Sequence, residues 1–198
     1  MTNFLLSRFL KSTLVFAFAL MAGTFTQAQQ YWNTAGGGPL ITAANWGPLG
    51  GPYTNAYVAG TPIVFTVNSA ITYVNGTVVN NISVTGGTTT WTGAGTFTTG
   101  GAVRTVDVAG GAVLTWNNQN VSVVAGNGFI KNGAGTWNIG NQNGLYPAGF
   151  TMNAGTLTFI NNNAFGSAAG TLTLIGGIIT PASGVARTIA NPITIGGN

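Results

Sequence analysis

The chain of 198 residues contains no cysteine and no histidine, and its single acidic side chain is Asp107. Only six residues are charged: Arg8, Lys11, Arg104, Asp107, Lys131 and Arg187. Each absence removes a class of chemistry. Without cysteine there is no disulfide framework and no thiol nucleophile. Without histidine a serine cannot be activated in a triad, and a Ser–Lys pairing through Lys131 has no supporting motif. One carboxylate cannot form an acid/base pair, nor can it assemble a zinc or calcium site. The "GAGT" turns at 93–96 and 133–136 lack the Gly-Lys-Ser/Thr that completes a phosphate loop. No catalytic, cofactor-binding or metal-binding residue is assigned. No cofactor is expected, and the chain reads as a non-enzyme.

The charged residues have structural readings instead. Asp107 lies in "RTVDVAGG", where alternation turns Val106 and Val108 inward and Asp107 out to solvent. Arg104 should point to the opposite side of that strand, so no ion pair is expected between the two. Lys131 is expected at the surface, shielding it or an edge against stacking errors.

Polarity comes from 30 threonines and 22 asparagines, beside 32 glycines. These residues disfavour helices and suit strands and turns. The start of the chain is different. "MTNFLLSRFLK" is basic, "STLVFAFALMAG" at 12–23 is apolar, and Thr26-Gln27-Ala28 follows. That succession predicts a secretory leader over 1–28, cut after Ala28. The apolar run is shorter than the ~20 residues of a membrane span. The mature chain is therefore expected to be exported, extracellular or on the outer cell surface, with no membrane span. It would keep three cations and one anion, scattered along its length. Phosphate recognition needs clustered Lys and Arg, so nucleic acid is not expected as a partner.

Residues 29–60 hold Tyr31, Trp32, Trp46, Tyr53 and Tyr57 among Pro39, Pro48 and Pro52. Prolines at this density predict an irregular segment, serving either as a cap over a sheet edge or as an aromatic ligand platform. From 61 to 198 the chain becomes short runs of β-branched and aromatic residues bounded by Gly or Asn. Four of them share a glycine turn followed by threonine: Gly95-Thr96-Phe97-Thr98, Gly135-Thr136-Trp137-Asn138-Ile139, Gly155-Thr156-Leu157-Thr158-Phe159 and Gly170-Thr171-Leu172-Thr173-Leu174. Alternation predicts Phe97, Trp137, Ile139, Leu157, Phe159, Leu172 and Leu174 on one face and the threonines on the other. The glycines are spaced by 40, 20 and 15 residues, and about twenty is one coil of strands. Coiling buries the apolar face and leaves Thr/Asn ladders outside. The predicted fold is all-β, a parallel β-helix (β-solenoid) behind the leader and the cap. An eight-stranded outer-membrane barrel is the competing architecture, and its strands would be about ten residues long.

Residues 126–180 resemble the autotransporter-associated β-strand repeat. Lys131, Gly133, Gly135, Thr136, Gly140, Ala154, Gly155, Thr156, Leu157, Ala164, Gly166, Thr171, Leu172, Gly176 and Gly177 fall on that pattern, while the loop "NQNGLYPAGF" departs from it. The resemblance implies a right-handed β-helix, exported by a bacterium and displayed at or released from its surface. It carries no catalytic residue. The expected role is a structural or adhesin-like solenoid with surface glycans or other cell-surface components as partners. Further rungs or an anchor are expected beyond Asn198. A carbohydrate-binding β-helix is the alternative, because Trp32, Trp46, Trp91, Trp116 and Trp137 could bind sugars. "TGGTTTWTGAGTFTTG" at 85–100 also invites an ice-binding reading. That reading needs a regular threonine grid, which turns of unequal length are expected to break.

Overall fold

The computed structural model describes residues 29–32, 38–40, 46–47 and 61–196, the last span interrupted at 75, 94–95, 100–102, 118–119, 123–127, 141–148, 167 and 183–185. The leader 1–28 and most of the 29–60 segment lie outside the described residues.

Every element among the described residues is a strand of two to five residues. Such runs cannot bury a face alone, so they stack. One wall is a nine-stranded sheet in the order β3 (Trp46–Gly47), β1 (Gln30–Trp32), β4 (Ile63–Phe65), β6 (Ile82–Val84), β9 (Arg104–Val108), β12 (Phe129–Asn132), β14 (Phe150–Met152), β16 (Leu172–Leu174) and β18 (Ile193–Ile195). The second wall has seven strands: β2 (Gly38–Pro39), β5 (Ser69–Thr72), β7 (Thr88–Thr92), β10 (Val113–Trp116), β13 (Thr136–Ile139), β15 (Thr156–Phe159) and β17 (Ile178–Pro181). A third, short wall pairs β8 (Thr96–Thr98) with β11 (Asn120–Ser122) and is extended by a bridge from Val78 to Thr98. Apart from β1 with β3, all strand pairs are parallel. The fold is an all-β parallel β-solenoid, and this pairing excludes the antiparallel barrel.

The coil is legible in one interior column of the nine-stranded sheet. Ile63, Ile82, Val106, Lys131, Met152, Leu174 and Ile195 stack at intervals of 19, 24, 25, 21, 22 and 21 residues. The four Gly-Thr strands do not mark a single position in the coil. Thr96 is in the third wall, Thr136 and Thr156 are in the seven-stranded wall, and Leu172–Leu174 is in the nine-stranded wall. Every wall needs the same in/out alternation, so that pattern carries no phase. Phase is carried by the corner between the two large sheets. It places a positive-φ glycine at Gly87, Gly111, Gly133, Gly155 and Gly177, with φ of 67°, 80°, 73°, 78° and 88°. Their intervals are 24, 22, 22 and 22 residues.

The interior is apolar and aromatic. Trp137, Ile139, Leu157, Phe159 and Leu172 are buried as expected, and Leu174 is partly buried against them. The side chain of Phe97 lies outside the described residues. Not every threonine faces out, because Thr89 is fully buried beside Ser69 in the same interior column. A continuous aromatic spine runs Trp32, Trp46, Phe65, Trp91, Trp116, Trp137, Phe150, Phe165, with successive ring centroids 4.5–6.2 Å apart. The closest pair, Trp116 and Trp137, meets edge to face at 82°, a favourable arrangement of the ring quadrupoles.

The two ends differ. Gln30–Trp32 was expected to be irregular, yet it forms a regular rung on β4. Beyond it, β3 runs antiparallel and Trp46 Nε1 donates to the Leu40 carbonyl at 2.5 Å. In the second wall the edge strand β2 ends in Pro39, a residue that offers no ladder N–H. At the opposite end β18 and β17 are outermost, with Ile178, Ile193 and Ile195 more than half exposed.

Candidate functional site

The alternation of β12 places Phe129 and Lys131 inward and Ile130 and Asn132 outward. Lys131 is fully buried, stacked between Val106 and Met152. The expectation of a surface lysine is therefore incorrect. Its long stem lies in the apolar column, and the amine reaches the glycine corners. There Nζ donates to the carbonyls of Asn132 at 2.5 Å, Gly133 at 2.8 Å and Ala154 at 3.3 Å. Burial lowers its pKa from 10.5 to about 8, and the Asp107 carboxylate opposes that shift. The sequence signal was available, because "FIKN" sets Lys131 in phase with Phe129. Charge was mistaken for exposure.

Arg104 and Asp107 point to opposite sides of β9, as expected. Arg104 stacks with the inward Phe129 and donates from Nε to the Thr99 carbonyl at 2.7 Å and from Nη1 to Asn80 Oδ1 at 2.9 Å. Asp107 is exposed, between Ser83 and Asn132 in the outer column. It borders a shallow depression of about 210 Å³, together with Val64, Ser83 and Thr105. A second depression of about 240 Å³ lies along the same sheet beside Ile130, Thr151 and Thr173. Neither is lined by a second titratable side chain.

Trp32, Trp46, Trp91, Trp116 and Trp137 are all fully buried in the spine. None offers a ring face to a sugar. Their indoles are needed to fill the coil, and that use outweighs surface display because each ring buries a large apolar area.

The outward face of the seven-stranded sheet is the most regular surface among the described residues. Beyond the two-residue edge strand "GP", its strands are "SAIT", "TTTWT", "VLTW", "TWNI", "TLTF" and "IITP". The in-register pairing aligns Ala70, Thr90, Thr115, Asn138, Thr158 and Thr180 in one outer column, and Thr88, Val113, Thr136, Thr156 and Ile178 in a second. The buried column of Leu114, Trp137 and Leu157 runs between them, and that of Trp91, Trp116, Ile139 and Phe159 runs beyond the Thr115 column. Within 85–100 the turn after Thr92 carries Thr96–Thr98 into the third wall, so that stretch forms no single grid, as expected. The regular columns arise instead across rungs, where the strands of successive coils keep register. One ladder bond is formed within the grid, from Asn138 Nδ2 to Thr115 Oγ1 at 3.1 Å. The charged residues of β9 and β12 belong to the other sheet, and no grid position is charged.

A scan against protein-family models, a search of curated proteins and a search of solved structures each found no match.

Proposed function

We propose that this chain is a non-enzymatic, exported structural solenoid of adhesin-like type that presents a Thr/Asn-rich surface at or outside the cell envelope. The observation that carries the reading is the division of labour across the coil. Apolar and aromatic residues fill the interior, while uncharged threonine and asparagine columns occupy the outside in register. A continuous interior gives stiffness, and a repeating exterior gives an extended contact surface. The likeness of residues 126–180 to the autotransporter-associated β-strand repeat supports export, as does the leader at 1–28. Surface glycans or other cell-surface components are the partners that this reading names. The five tryptophans are buried and so lend the carbohydrate-binding alternative no support of their own. The test is protease shaving of intact cells followed by mass spectrometry. Peptides from 61–196 should be released, with a mature N-terminus at Gln29. Retention of the chain inside the cell with an intact Met1 would refute export.

A further inference from the structure

We propose that the outer face of the seven-stranded sheet binds a ligand that is itself a lattice, namely the surface of crystalline ice. Neighbouring rungs are about 4.8 Å apart and alternate residues along a strand about 6.6 Å apart. The two aligned columns therefore form a two-dimensional net of Thr hydroxyl and methyl groups with those repeats. A net with translational order in two directions complements a periodic partner. A single soluble molecule would meet only one or two of its cells. Hexagonal ice repeats its oxygen positions with two spacings of this size.

The composition of the face points the same way. Charged groups orient water strongly around themselves and oppose a tetrahedral lattice; this face has none. Threonine combines a hydroxyl that joins a water lattice with a methyl that water can enclose. Three of the four exceptions keep half of that character, since Val113 and Ile178 retain the branched methyl and Asn138 retains a polar group; the fourth, Ala70, keeps only a methyl at the end of its column. The net is also stiff. Branched side chains on strands have few χ1 states, and Trp91, Trp116 and Trp137 pack directly beneath. Little ordering is then required when the ligand binds.

The inference goes beyond the display reading and rests on it only in requiring that this face be open to solvent. The test uses the purified full chain. It should inhibit recrystallisation of ice and produce a freezing-point hysteresis. Thr115→Lys combined with Thr158→Lys, which places two charges in the net, should abolish both effects while leaving the thermal unfolding midpoint near its original value. Thr173→Lys, on the other sheet, should retain both effects. Absence of any hysteresis or recrystallisation inhibition in the unaltered, folded chain overturns the proposal. Full retention in a folded double variant overturns it equally. Either result leaves the export reading intact, because that is decided by shaving cells and not by freezing.

Discussion

Lys131 shows how far a single residue can be separated from its ordinary environment. Its ammonium is removed from water, and three backbone carbonyls receive it where a corner turns. A lysine whose pKa is lower folded than unfolded makes the unfolded state bind more protons between the two values. Stability therefore rises with pH from about 8 towards 10.5 and is flat below that window, where both states are charged. Tyr73 acts in the opposite sense. Burial raises its pKa above 10.0, so the folded state holds that proton longer and stability falls as pH increases beyond 10. Thermal unfolding followed between pH 7 and 11 should show a rise of order 1–3 kcal/mol up to about pH 10, then a levelling that turns into a fall as the Lys131 contribution is completed and that of Tyr73 is lost. Lys131→Met, similar in length and stacked on Met152, should lose the rise. An unchanged pH profile in that variant would place the titration elsewhere.

At the scale of the element, the corners decide register. Gly155 has φ +78°, and a methyl group there would collide with the carbonyl oxygens of Gly133 and Gly135. Gly111 has φ +80° with open space around the same position. Gly111→Ala should therefore cost about 1–2 kcal/mol, the left-handed conformation alone. Gly155→Ala should cost several kcal/mol, because backbone must also move. Urea unfolding midpoints would separate the two, and equal losses would mean that crowding at the corner is unimportant. These glycines also explain what could be read in the sequence. Strand alternation, the coiled all-β architecture and the buried faces of Trp137, Leu157 and Leu172 follow from period-two patterning. A coil of about twenty residues was legible too, since Thr136 and Thr156 stack one coil apart, but the phase of the coil was not, because "GT-apolar-Thr" suits every wall. The doublets Gly86-Gly87, Gly110-Gly111 and Gly176-Gly177 carry the phase, and they differ in sequence from the corners at Gly133 and Gly155. The threonine columns were not legible because they run across rungs, joining Thr90, Thr115 and Thr158, which lie far apart in the chain.

At the scale of the stack formed by the described residues, both ends have strands paired on one side only, but they are finished differently. One carries an antiparallel strand and a proline-bearing edge, whereas the other presents β17 and β18 with Ile178, Ile193 and Ile195 exposed. Under tension this asymmetry becomes a sequence of events. A stack of the described residues, held at both ends and pulled, would release an end coil first, since an end coil has one neighbour to leave and an inner coil has two; the end without an antiparallel cover, at β17 and β18, is the weaker of the two. Each coil of 19–25 residues lengthens to roughly 65–85 Å when drawn straight. Single-molecule force traces should then show a staircase with steps of that size, whereas one all-or-none rupture would mean that the coils yield together. The spacing of the interior column, which sets the packing at rest, would be the scale on which the molecule yields to load.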